Sequence, residues 1–367
     1  MTGLLDTRFF RVYIIPGAVF QSVMVGGGYG TGREIVEFFT RYGFFGGLLG
    51  LGVAFVALAT VLALTYEFAR LHRVYDYRNF FKCLLGRFWV AFEILMVFQF
   101  LIVLAVMASA SGNILRDNFG VPYAVGLLVM LAVVGVLTFY GRELIARTLT
   151  YWSFFLYAVF ITFFILVMSR FGDGFFEQAA RTGVVDGWAG SGLKYALYNV
   201  AGAPLLLYVA RSFETRREAV TSGIVAGVIA VVPALLFQVA FFTAWPDVLD
   251  QAIPVYWLMS AAGMTVLLVV YSVMLFGTFI ETGAGLLQGI NERLDAWLIE
   301  RRGTGLSSRA HAVIAVSAII VSSILSLWGI TNLIASGYGT MAWGFLIVYL
   351  VPIVTIGFWR IRQARPA

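Results

Sequence analysis

A single cysteine, Cys83, leaves the chain unable to form an intramolecular disulfide, and its place in a basic stretch suits a reduced cytosolic environment with the thiol incidental. Only two histidines occur, His72 and His311, both in or beside expected loops, and no His-x-x-His or Cys-x-x-Cys spacing is present to hold a metal. A G-x-x-x-x-G-K-[ST] loop is also missing, so ATP-driven pumping has no basis in the sequence. No soluble-enzyme signature survives inspection, and the expectation is a protein that is not an enzyme and needs no cofactor. Charge is scarce: 12% of the 367 residues are charged against 61% hydrophobic, whereas soluble domains carry ~25% charge. No Pro- or Ser-rich linker divides the chain, which reads as one domain over 1–367. The apolar stretch after Arg8 and Arg11 runs into glycines without a small-residue cleavage site, so a cleaved leader is not expected.

What the sequence does have is apolar runs of about 20 residues, the length of a membrane-crossing helix and twice that of a barrel strand. The fold class this implies is an all-α polytopic membrane protein. Ten spans are expected, at roughly 12–40, 45–70, 88–113, 121–140, 149–169, 192–212, 219–243, 257–290, 310–328 and 336–359. An even number puts both termini on one side. With that side cytosolic, the inner segments hold 19 Lys and Arg residues, Arg8, Arg142, Arg147, Arg293, Arg301 and Arg365 among them, against 6 in the outer segments. This segregation points to both termini inside a cytoplasmic membrane. The basic pI of about 9.5 is then a matter of topology and implies no nucleic-acid partner.

The first span reads VMVGGGYGTGREIVEFF, with Gly26, Gly27, Gly28, Gly30 and Gly32 close together. Each glycine weakens a helix by ~1 kcal/mol relative to alanine, and backbone groups freed inside a bilayer are tolerated only in a protein interior or a cavity. A break there is the expected outcome; close helix packing through Gly26/Gly30 and Gly28/Gly32 is the alternative. Arg33 and Glu34 follow at once, as an outer gate, as a recogniser of a charged solute, or as an ion pair snorkelling to water. The glycine run is no dinucleotide fingerprint, since no strand precedes it. In the sixth span, YALYNVAGAPLLLYVARSF, Asn199, Gly202 and Pro204 interrupt an apolar helix, and Pro204 releases a carbonyl near Val200. The eighth span places Thr278, Glu281 and Thr282 at i, i+3 and i+4 on one helical face. An ionisable side chain in a span is a functional-site candidate, unless Glu281 lies near enough to the inner end to reach water or an arginine. Glu93 in the third span is expected near the inner mouth, paired with a loop arginine. The stretch 171–192 is expected to form a short surface helix or cap, and 245–254 a re-entrant or interfacial hairpin.

Interrupted first and sixth spans hold matching places in two five-span halves, about 12–169 and 192–359, and an odd number of spans per half inverts one against the other. This layout resembles the LeuT-type fold of the amino acid, polyamine and organocation (APC) transporter superfamily: a 5+5 inverted repeat with broken helices 1 and 6. The segment GGGYGTGREIVEFF is similar to the G-A-G-F-A-S-G-Q-E-I pattern of YkvI-like bacterial membrane proteins, with Arg33 in place of the Gln. The resemblance implies a cation-coupled symporter that works by alternating access on a small organic solute, an amino acid or related zwitterion, with the bilayer, the solute and a monovalent cation as its partners. It places the solute among Gly26, Gly28, Tyr29, Gly30, Thr31 and Gly32 of the first span and Asn199 and Gly202 of the sixth, with a carboxylate on the N–H groups around Gly28 to Gly32. It places the coupling ion, Na⁺ or H⁺, near the carbonyls of Ser22 and Val25, opposite Thr278, Glu281 and Thr282. The Asp-Pro-Gly and Met/His set of LeuT-type divalent-metal transporters is missing, so no metal beyond Na⁺ is expected. A ligand-sensing receptor on the same fold, binding without transport, is the alternative.

Overall fold

The computed structural model describes residues 7–140, 142–173 and 175–364, with side chains outside the description over 137–140 and 142–154 and at 301 and 308. Of the basic residues counted above, the side chains of Arg142, Arg147 and Arg301 and all of Arg365 lie outside the described residues. Every regular element among the described residues is helical. Side chains large and apolar face outward along these helices, Val56, Ile165, Val269, Val316 and Ile347 each more than half exposed. A surface of this kind needs lipid as its solvent.

Among the described residues, six stretches are long and apolar enough to cross a membrane: Arg33–His72, Tyr77–Phe119, Arg216–Phe242, Thr265–Glu300, Arg309–Ser326 and Ile330–Gln363. The pair Phe155–Phe171 and Phe175–Arg181, bent by 86°, is a seventh candidate. Two other expected spans do not stand as single helices, and each has its reason. Span 12–40 leaves helical geometry at Val25 and Gly26. Span 192–212 passes from an α-helix, Trp188–Val200, into a 3₁₀ stretch, Ala203–Ser212. Span 121–140 is one helix, Tyr123–Tyr140, whose side chains are described as far as Val136. The Arg33–His72 stretch is itself turned at Phe39 and Gly43, where glycine takes φ 81°. The eighth helix differs from expectation at both ends: it starts at Thr265, after a separate helix Pro254–Ala261, and continues to Arg302. A helix does occupy Phe175–Arg181.

Helix ends follow local chemistry. Asp76 accepts the Asn79 N–H at 2.9 Å, and Thr215 and Glu218 form a reciprocal capping box. Arg8 reaches across to Glu214 at 2.6 Å and Glu218 at 2.7 Å, tying the start of the described chain to this cap. Its guanidinium holds the Glu214 carboxyl below the ordinary carboxylate range.

The tightest packing joins Gly43–His72 to Arg216–Phe242 and to Trp188–Val200. Small residues allow it: a Cβ on Gly223 would strike the backbone of Ala63, one on Gly227 the backbone of Ala59, and one on Gly192 the backbone of Gly50. With no hydrophobic drive between helices in lipid, such close backbone approach supplies the van der Waals contact that holds them. Ile15–Met24 packs on Arg216–Phe242 as well. Gly223→Leu is therefore expected to destabilise the purified protein by about 1–3 kcal/mol or more, read as a lower unfolding midpoint in detergent. Gly52→Ala, where nothing lies within 4 Å of the added carbon, should leave the midpoint unchanged or raise it.

Candidate functional site

Ile15–Met24 ends where Val25 turns out of the helix (ψ 85°) and Gly26 becomes extended (φ −108°, ψ −164°). One helical turn, Gly27–Gly30, follows, then Gly32 at φ 81°, a left-handed conformation open to glycine, and then Arg33–Phe38. Crowding adds to the need for glycine, since a Cβ on Gly28 would run into the Glu34 carboxyl and one on Gly27 into Met107. The sixth span leaves the α-helix after Val200; Gly202 N–H donates to Asn199 O at 3.1 Å, and Pro204 enters the 3₁₀ stretch at its start. Proline has no N–H to give, which is why the α-helical ladder stops here.

These two interruptions meet at one end of a cavity of about 980 Å³. Gly26, Glu34, Tyr198, Asn199, Gly202 and Tyr338 line that end. Glu281, Thr282, Gly285, Gln288, Glu292 and Ala296 continue the wall along Thr265–Arg302, a distance of about 22 Å at 1.5 Å per residue, to Arg293 and Tyr77 at the mouth. The opposite side is sealed. Arg33 is buried, donates to Leu249 O at 2.6 Å and Gln251 O at 3.0 Å, and pairs with Glu37 at 3.0 Å. Val255 N–H donates to Thr31 O at 3.3 Å, and the Tyr271 hydroxyl to Gly30 O at 2.6 Å. The stretch 245–254 supplies this seal through its carbonyls.

The expected site residues divide around this cavity. Gly26, Asn199 and Gly202 line it, whereas Gly28, Tyr29, Gly30, Thr31 and Gly32 are buried behind its wall, Tyr29 against Phe160 and Phe237. The proposed cradle for a solute carboxylate is largely consumed by the chain itself. Gly30 N–H donates to Gly26 O, Thr31 N–H to Gly27 O and Gly32 N–H to Tyr29 O, while the Glu34 carboxyl lies against Gly28. Of the coupling-ion set, Ser22, Glu281 and Thr282 line the cavity; Val25 and Thr278 are buried, and the Thr278 hydroxyl donates to Met274 O at 2.9 Å. Arg33 and Glu34 part company: Arg33 joins the seal, and Glu34 turns inward, its Oε2 accepting the Tyr198 hydroxyl at 2.5 Å. The snorkelling pair is excluded, because Arg33 is buried and its partner is Glu37.

Glu93 does pair with an arginine, Arg293, at 2.6 Å, but that arginine belongs to the long eighth helix and not to a loop, because the helix runs on past the expected end at 290. Its guanidinium lies over Tyr77 at 4.0 Å, so both partners are held in a desolvated setting that would leave a stranded charge if either were removed. Tyr198 and Tyr338 were missed by sequence reasoning. Tyr198 adjoins Asn199 inside the interruption and carried a positional signal; Tyr338, in the last span, carried none. Among the described residues no three His, Cys, Asp or Glu side chains come together as a metal site.

No known family profile matches the chain. It is 25% identical over 317 residues to an uncharacterized membrane protein, YkvI, of Bacillus subtilis (strain 168), across 83% of this chain and 86% of that one. Among solved structures it is similar to Mhp1, a nucleobase-cation-symport-1 family transporter in a closed conformation with bromovinylhydantoin bound, at TM-score 0.56 and 12% identity, covering 95% of this chain and 78% of that one. Inward facing Mhp1 gives TM-score 0.54 at 13% identity over 95% and 90% of the two chains. A variant of the Eremococcus coleocola manganese transporter gives 0.53 at 16% identity over 94% and 78%. The chain is thus a multi-pass helical membrane protein with the LeuT-type transporter fold of these proteins.

Accessibility checks the one-ended cavity. In a Cys83→Ser background, Gln288→Cys is expected to react readily with a hydrophilic maleimide in detergent, and Thr31→Cys to stay unlabelled until the protein is denatured.

Proposed function

We propose that this protein is a secondary active transporter, a cation-coupled symporter of a small organic solute that works by alternating access in the cytoplasmic membrane. The one-ended cavity carries this reading: it stops at the two helix interruptions and is sealed beyond them by Arg33. A channel would need a path through; a carrier needs a site that one face reaches at a time.

The packing supports ten spans arranged as inverted halves. Span one lies on span seven and span six on span two, while spans two and seven lie on each other; likewise span five meets span eight, and span ten meets span three. Under exchange of the halves the first two contacts are images of one another, as are the last two, and the contact of spans two and seven is its own image, as an inverted repeat requires. With both termini in the cytosol, the mouth beside Arg293 and Tyr77 is cytosolic, and the conformation is inward-open. Arg33 then acts as the outer gate. Opening outward breaks its bonds to Leu249 and Gln251, while Ile15–Met24 and Ala203–Ser212 close on the eighth helix.

That closure would bring the Ser22 and Val25 carbonyls toward Thr278, Glu281 and Thr282. An all-oxygen set of this kind suits a hard cation, and a carboxylate suits a proton equally. Glu281 has no hydrogen-bond or ion-pair partner among the described residues, as expected of a group that waits for one.

Uptake by proteoliposomes under imposed Na⁺ or H⁺ gradients tests the reading. Solute accumulation is expected with one gradient and collapse with an ionophore for that ion. Glu281→Gln should abolish gradient dependence while leaving solute exchange measurable. Tight ligand binding with no flux under any gradient would instead make the protein a sensing receptor.

A further inference from the structure

The inner end of the cavity is acidic and aromatic. Glu34 is 2% exposed and accepts the Tyr198 hydroxyl, but no basic side chain pairs with it among the described residues, since its neighbour Arg33 is spent on Glu37, Leu249 and Gln251. Tyr338 is 2% exposed and lines the same end; its ring lies 4.7 Å from that of Tyr198, and its hydroxyl has no hydrogen-bond partner among the described residues. Asn199 uses its Nδ2 on Tyr195 O at 2.9 Å, which leaves the amide oxygen as an acceptor for whatever enters. Farther out, the wall carries Glu281 and Glu292. Its single basic side chain, Arg293, is already paired with Glu93. Glu34 and Glu281 thus face the space with no basic partner among the described residues.

A carboxylate buried without a cationic partner is costly, and the surroundings here offer none from the chain itself. A low-dielectric cavity lined by charge of one sign also concentrates ligands of the other. We propose that the solute is a primary amine of net positive charge, a diamine or a basic amino acid, whose ammonium docks on Glu34 beside the paired rings of Tyr198 and Tyr338. The ammonium supplies N–H donors to the Glu34 carboxylate and the Asn199 oxygen, and the two rings add cation–π attraction. This reverses the orientation inferred from the glycine run: the amine end faces Gly28, because the carboxyl of Glu34 already lies there and would repel a second one. The inference rests on the transport reading for passage across the membrane, though not for binding.

The test uses the purified full-length protein. Thermal unfolding is followed with putrescine, lysine, alanine or glutamate at matched ionic strength, and any stabilising solute is then titrated by calorimetry. Putrescine or lysine is expected to raise the midpoint with dose, while alanine and glutamate do not. Glu34→Gln should weaken amine binding by roughly 30-fold or more, and Glu34→Asp should keep the preference for cations at lower affinity. Because the wild-type panel decides the charge preference by itself, a variant that fails to fold does not remove the test. Stabilisation by alanine or glutamate in place of the amines, or by no solute of the four, overturns the inference. So does a folded Glu34→Gln protein that binds the amine within about twofold of wild type. Amine binding without gradient-driven uptake would remove the transport reading and keep this one. Gradient-driven uptake of alanine or glutamate, indifferent to Glu34→Gln, would do the reverse.

Discussion

Everything in this structure depends on how backbone hydrogen bonds are satisfied where water is absent. A helix crossing a bilayer closes its own N–H and C=O groups, and any departure from it must be compensated by other protein groups or face a cavity. The chain departs at Val25–Gly26 and again after Val200, and both departures lie beside the same space. The costs are contained locally. Gly26 N–H turns back to Met24 O, Gly202 N–H to Asn199 O, and the Thr31 hydroxyl caps Gly28 O at 2.8 Å. What is left over, a few acceptors and the carboxyl of Glu34, faces inward.

The same constraint explains the seal. Carbonyls of the 247–251 turn would be unsatisfied under a closed outer face, and Arg33 answers two of them while remaining neutralised by Glu37. One buried guanidinium therefore does three things: it closes the far side, holds the loop, and stays out of the cavity. Its absence from the cavity leaves Glu34 with no basic side chain beside it among the described residues. The sealed side and the cavity are set apart by two adjacent residues, because consecutive positions on a helix point about 100° apart.

Much of the architecture was legible from residues alone, for reasons that can be named. Apolar run lengths marked the bilayer-crossing helices, and the five glycines and Pro204 marked where two of them would fail, since both signals are properties of the local chain. Glu93 with an arginine near the mouth followed from the cost of burying a charge alone. The boundaries of the eighth helix did not follow. Its start waited on a turn at Gly263, which takes φ 67°, and its extension to Arg302 on polar residues that tolerate a helix outside lipid as well as a loop.

The candidate site divides in the same way. Composition and pattern by themselves determined a helical membrane protein, pointed to the two stretches where α-helical geometry lapses, and marked Glu281 as an ionisable group in an apolar helix, because solvent, length and propensity act residue by residue. The tertiary structure alone decided that Arg33 faces the seal and Glu34 the cavity, that Tyr198 and Tyr338 come together across 140 residues of chain, and that the N–H groups of Gly26, Gly30, Thr31 and Gly32 are already taken. Those are facts of helix rotation and of contacts between distant segments, and spacing along a single chain does not carry them.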